Sequence, residues 1–167
     1  LCSNGVIHAI DAVLLPEDAP LDIVQTASAS SEFDTLVAAL EAAELDDDLA
    51  GEGPFTVFAP TDDAFNALPE GLLDSLLEPA NQGTLINILT YHVYDGSVLE
   101  DAALALDGTA VPMLNGDDLS FDIVMLALVL NEGGSSPATV IQTDILCSNG
   151  VIHVIDAVLD PGDAPTP

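Results

Sequence analysis

The chain has 167 residues, with 29 Asp and Glu, three His and no Lys or Arg, so its formal net charge is −29; yet 49% of its residues are hydrophobic and its mean hydropathy is +0.45. With no Lys or Arg to neutralise a phosphate, nucleic acid and anionic membranes are excluded as direct electrostatic partners. The apolar content excludes an acidic disordered tail, and the length suits one domain with its own core.

The first segment, LCSNGVIHAIDAVLLPEDAP (1–20), returns as LCSNGVIHVIDAVLDPGDAP (146–165), identical at seventeen of twenty positions with a period of 145 residues. A fixed period of this kind is the signature of a tandem array. Residues 1–15 therefore read as the closing strand of a preceding repeat, or as a strand donated elsewhere, with Val6, Ile7, His8, Ile10 and Val13 as its assembly residues. The Pro- and Asp-rich stretches at 16–20 and 161–167 read as linkers, and the complete domain spans 21–160. Cys2 and Cys147 occupy the same place in successive repeats. That favours a buried thiol in a strand over a disulfide within the chain, with an intermolecular bridge as the alternative.

The first half of the domain reads as helices. Ser31 opens an S-x-x-D cap, and Phe33, Leu36, Val37 and Leu40 follow on one face. After the breaker GEGP comes a short strand, FTVFA (55–59). Thr61 can cap the next helix, with Asp62 and Asp63 in its first turn, where a negative charge meets the positive end of the dipole. Leu72, Leu73, Leu76 and Leu77 mark another helix, and Leu85, Ile88 and Leu89 one more that runs into TYHV (90–93). The second half reads as strands: 109–114, a turn at NGDD, a long strand 119–130, a loop, then 138–145 and a final long strand 150–159. Helices followed by an antiparallel meander predict an α+β fold. The longest apolar run, Ile123 to Leu130, is far short of the roughly 18–20 residues of a spanning helix.

Two segments at the ends of this unit resemble the paired signatures of the fasciclin (FAS1) domain family. FTVFAPTDDAF (55–65) is similar to its first box, and SNGVIHVIDAVL (148–159) to its second, of which SNGVIHAIDAVL (3–14) is another copy. TYHV (90–93) is similar to the Tyr-His element between them, and the resemblance covers 21–160. It implies a β-wedge or sandwich of antiparallel strands flanked by several short helices, carried in tandem on secreted or cell-surface proteins. It also implies adhesion to matrix components, other cells or like domains, so that protein or matrix polysaccharide is the expected partner. Where members of this family bind receptors, the Tyr-His element and nearby Asp-Ile pairs are implicated. Here those are Tyr91 and His92, with Asp144-Ile145, Asp22-Ile23 and Asp122-Ile123 as candidates. The absence of Lys and Arg departs from any recognition mode that needs a basic contact.

Beside the binding reading of each residue stands a structural one. His92 fits an imidazole packed at a helix-to-strand junction, and His153, mid-strand in an apolar run, fits a core histidine with His8 as its repeat mate. Asp46, Asp47, Asp48, Asp117 and Asp118 are the densest carboxylates and the candidates for weak cation binding. The EF-hand spacing fails, since after Asp46 and Asp48 it places Ala50 at the fifth position and Val57 at the twelfth. Calcium is therefore expected only as a diffuse, weak ligand, with no other cofactor. No nucleophile, zinc or phosphate-loop signature is present. Three functions stay open: an adhesive module, a structural subunit that self-assembles by strand donation or cation-bridged contacts, and a salt-adapted spacer.

Overall fold

Two runs that lack polar alternation, Phe55–Pro60 (β1) and Gly150–Ile155 (β7), lie side by side in parallel in the computed structural model, Phe55 opposite Gly150 and Pro60 opposite Ile155. The structure describes residues 20–124, 127–130 and 137–161. The candidate assembly strand, with Val6, Ile7, His8, Ile10 and Val13, lies outside the described residues, as do all of the two linkers except Pro20 and Pro161. Val57 to Ala59 and Val151 to Ile155 are all buried, as a pair covered on both faces requires.

The other strands extend the sheet to either side of this pair. They are β2 (Val93–Asp95), β3 (Thr109–Pro112), β4 (Asp118–Val124), β5 (Ala127–Leu130) and β6 (Ala138–Cys147), and the order is β2-β1-β7-β6-β5-β4-β3. Every pairing except β1 with β7 is antiparallel, so the expected antiparallel sheet is in fact a mixed one. A parallel neighbour needs a long crossover, and almost the whole domain separates β1 from β7 in sequence. The Leu114 amide donates to the Val93 carbonyl at 2.8 Å, bringing the chain after β3 back to β2 at the opposite edge.

Short helices flank the sheet, most of them on one side and the last on the other, where Ala103 is buried. They are α1 (Ile23–Ala29), α2 (Asp34–Ala43), α3 (Asp46–Leu49), α4 (Asp62–Asn66), α5 (Leu72–Leu76), α6 (Gln82–Tyr91) and α7 (Glu100–Leu104). Leu36, Leu40, Leu72, Leu85 and Ile88 meet Val57, Ala59, Ile152 and Val154 in one apolar cluster. Phe58 and Ile155 point the other way, against Leu119, Phe121, Leu128 and Leu130 in a second. The two clusters are the layers of an α+β wedge, and the central pair belongs to both.

Three expectations are corrected. The apolar run 119–130 is two strands, not one: β4 and β5 pair antiparallel, with Val124 opposite Ala127. The inward residues are odd-numbered on β4 (Leu119, Phe121) and even-numbered on β5 (Leu128, Leu130), a parity break that a single strand cannot carry. The closing strand ends at Ile155 because Asp156 turns outward, its carboxylate accepting from the Thr139 amide at 2.7 Å. Ser31 does not cap α2. The Thr35 amide donates instead to Asp62 Oδ1 at 2.8 Å, while the Asp62 amide donates to the Glu32 carbonyl. Asp62 thereby opens α4, capped as expected by Thr61, and caps α2 across the fold.

Candidate functional site

The repeated SNG motif forms the turn from β6 into β7 and ties three elements together. Asn149 Oδ1 accepts from the Ile23 amide at 3.0 Å, at the start of α1. Its Nδ2 donates to the carbonyls of Leu49 (2.6 Å), the last residue of α3, and Gly51 (2.9 Å), two residues beyond. Its own carbonyl accepts from the Phe55 amide at 3.0 Å, where β1 begins, and the Ser148 amide donates to the Leu21 carbonyl at 2.8 Å. Backbones meet closely here: a Cβ on Gly150 would fall on the Phe55 carbonyl oxygen, and one on Gly53 on that of Asn149. Glycine is required at both positions for that approach.

Beside this turn an open groove of about 840 Å³ runs between residues 50–54, the Ser97–Leu99 loop and residues 146–151. Leu146 is 70% exposed and Leu99 43%, and both line it. The Ser97–Leu99 loop is held firmly. Thr56 Oγ1 donates to the Gly96 carbonyl at 2.7 Å and accepts from the Val98 amide at 2.8 Å. The buried ring of His153 stacks on Phe58, and its Nε2 lies 2.6 Å from the Val98 carbonyl, so that nitrogen donates. Nδ1 is left to accept, 3.4 Å from the Asp144 amide. Asp144, at φ 57° in an irregular stretch of β6, accepts from the Glu100 amide at 2.8 Å, the first of α7. Two apolar side chains are thus presented to solvent on a frame bonded at every turn, the arrangement a recognition surface needs.

Of the residues singled out in the sequence, Asp144 does not line this groove but holds the Glu100 amide next to Leu99, and Ile145 pairs with Ile152 and packs partly into the helix-side core. Tyr91 and His92 are 3% and 2% exposed and stand in the interior. The Tyr91 hydroxyl donates to the Asp118 carbonyl at 3.2 Å; burial, then the charges of Asp117, Asp118 and Asp160, push its pKa up. His92 Nδ1 lies 2.8 Å from the Ile88 carbonyl, the free end of α6, and Nε2 accepts from the Leu159 amide at 2.9 Å. Burial lowers its pKa to about 4, against a smaller upward pull from the Ile88 carbonyl. Both rings therefore act as pins: His92 holds the C-terminal segment and His153 the groove loop.

The remaining Asp-Ile pairs stand apart. Asp22 caps α1 in a box with Gln25 while Ile23 is buried, and Ile123 sits exposed on β4. Asp46, Asp47 and Asp48 form the first turn of α3, and Asp117 is closed in a turn with Asn115, whose side chain donates to it at 2.8 Å. No group of three or more His, Cys, Asp or Glu side chains able to hold a metal ion occurs among the described residues. Cys147 is partly buried in β6, its sulfur 3.4 Å from Thr26 Oγ1, and burial pushes its thiol up. Leu99 and Leu146 were not legible as groove residues. Leu146 belongs to the repeated segment, but repetition carries no information on exposure.

Comparison with known proteins places this geometry. A family model described as the fasciclin domain matches residues 31–161. Protein sll1483 of Synechocystis is 46% identical over 144 residues, covering 86% of this chain and 76% of its own length. The transforming growth factor-beta-induced protein ig-h3 of Sus scrofa is 35% identical over 94% of the chain, which spans only 21% of that protein. Among solved structures, a FAS1 domain pair from the insect cell adhesion molecule fasciclin I superposes with a TM-score of 0.76 at 17% identity, over 88% of this chain and 53% of the pair.

Proposed function

Because the chain belongs to the fasciclin domain family, we propose that it is an adhesion module of an extracellular or cell-surface protein, binding through the groove between residues 50–54, 97–99 and 146–151. The observation that carries this reading is the exposure of Leu99 and Leu146 on a loop and strand whose backbones are locked by Thr56, His153, Asp144 and Asn149. Rigid apolar presentation lowers the ordering cost of association. Two further facts support it. The structural neighbour is part of a cell adhesion molecule, and the match to ig-h3 occupies one section of a longer chain, as a module would.

Binding, rather than turnover, is the chemistry these side chains suit. The buried titratable pair, His92 and His153, has all four ring nitrogens engaged with backbone groups. The net charge of −29 selects the partner. It is a neutral or cationic protein surface, a neutral matrix polysaccharide or, once salt screens the repulsion, another copy of the chain.

The test is attachment of beads coated with the folded chain to surfaces bearing a fibrillar protein matrix, a neutral polysaccharide gel or the chain itself, in 1 M NaCl. Retention above that of bare beads on at least one surface is expected. Equal retention of coated and bare beads on all three overturns the reading.

A further inference from the structure

We propose that the β7 slot of this fold accepts a second occupant, residues 3–14 of another copy of the chain, so that two chains can complete one another by each donating its N-terminal segment where the resident strand is displaced. The inference goes beyond the adhesion reading: it concerns what fills the sheet, not what the groove binds.

The slot makes specific demands, and the N-terminal copy meets them one by one. At the first position a Cβ would strike the Phe55 carbonyl oxygen, so glycine is required; Gly150 is matched by Gly5. Before it, Asn149 bonds α1, α3 and β1 together and is matched by Asn4. The imidazole that stacks on Phe58 and reaches the Val98 carbonyl is matched by His8. The carboxylate that ends the strand by accepting from Thr139 is matched by Asp11, and buried Leu159, whose amide meets His92, by Leu14. Val151, Ile152, Ile155 and Val158 are matched by Val6, Ile7, Ile10 and Val13. The one difference is Ala9 in place of Val154, which is buried in the helix-side core. Losing two buried methyl groups lowers the fitness of the copy by about tenfold. The resident strand, also favoured by being on the same chain, therefore holds the slot, and the copy takes it when the resident cannot.

A second chain is the source that the topology favours. Leu21 is fixed at the start of β7 by the Ser148 amide, whereas the copy would finish, at Leu14, beyond the far end of that strand. Six linker residues, two of them proline, would have to return the length of a strand that is covered on both faces. Their reach is at most about 24 Å along a straight path, and the path around the sheet is not straight. A neighbouring chain has no such constraint, and reciprocal exchange gives a closed pair.

Three full-length variants decide the matter: Gly150→Val, Gly5→Val and the double variant. Each is measured in 1 M NaCl by light scattering after gel filtration and by circular dichroism on heating. Gly5→Val is expected to match the parent in mass and melting. Gly150→Val should keep a cooperative transition and run at twice the mass of Gly5→Val or more. The double variant should lose cooperative unfolding altogether. A Gly150→Val chain that is unfolded, or folded at the mass of Gly5→Val, overturns the proposal. So does a double variant as stable as Gly150→Val. No ligand enters the measurement, so its outcome is independent of the adhesion assay.

Discussion

Replacing His92 by Ala removes a ring that satisfies two backbone groups at once, the Ile88 carbonyl at the end of α6 and the Leu159 amide in the C-terminal segment. Each group left buried without a partner costs about 1–3 kcal/mol, and the vacated volume adds a cavity term. A loss of roughly 3–5 kcal/mol is expected at pH 7.5. The pH dependence makes the prediction sharper. The folded pKa of His92, about 4, lies below the ordinary value of 6.5, so the unfolded chain binds the proton more readily. The contribution of the neutral ring is therefore intact above about pH 6.5 and is lost as the pH falls through the window down to about 4. At 1.36 kcal/mol per unit, the gap between parent and variant should be about 2–3 kcal/mol smaller at pH 4.5 than at pH 7.5. Urea unfolding of both proteins in 1 M NaCl measures it, and the difference cancels the carboxylate titration they share. His92→Gln, which fills more of the site and cannot titrate, should show the same trend from a smaller starting gap. A gap that stays constant or widens on acidification would refute the assignment of a neutral, doubly bonded ring.

Three further outcomes follow from named contacts. Asp62→Ala should destabilise the chain by about 1 kcal/mol or more through the lost cap on α2, while Ser31→Ala should change urea unfolding by no more than a few tenths. Asn149→Ala removes a three-way bond among α1, the end of α3 and the β6–β7 turn, and should cost roughly 2–4 kcal/mol in the same assay. The melting temperature should climb steadily between 10 mM and 1 M NaCl as screening shortens from about 30 to about 3 Å. Calcium chloride at equal ionic strength should raise it further by diffuse association with the carboxylates. A melting temperature independent of salt would contradict a fold that carries 29 acidic side chains and no Lys or Arg.

Much of this architecture is local, and to that extent legible in the sequence. The cap at Thr61, the apolar stripe of α2 and the short strand at 55–59, which runs one residue further in the fold, each follow from spacing within a few residues. What depended on distant partners was not legible. The α2 cap comes from Asp62, 27 positions beyond the amide it bonds, and no local rule favours it over Ser31. The reversal within 119–130 has no Gly, Pro or Asn to mark it, and only the parity of its inward residues records it. At α1, the D-x-x-Q spacing of Asp22 and Gln25 is a capping-box signal carried by the sequence itself, in the same place as the candidate pair Asp22-Ile23. The sequence offers His92 both as a contact residue and as a packed imidazole, and His153 as a core histidine; their partners, a carbonyl four residues back and a loop 55 residues away, are supplied only by the fold. The groove has no sequence signal, because an exposed leucine in an apolar segment is indistinguishable from a buried one until the chain is folded.

The central claim is that this module binds through the groove flanked by Leu99 and Leu146, and one comparison tests it directly. Leu99→Ser places a favoured residue at the N-cap of α7, and Leu146→Thr suits an exposed strand position, so the double variant keeps both fold and charge. Bead attachment is measured for parent and double variant on whichever surface retains the parent, after their melting curves are shown to coincide. A drop in retention of at least tenfold is predicted. Undiminished retention by the folded double variant would contradict the account and move the binding surface elsewhere on the domain.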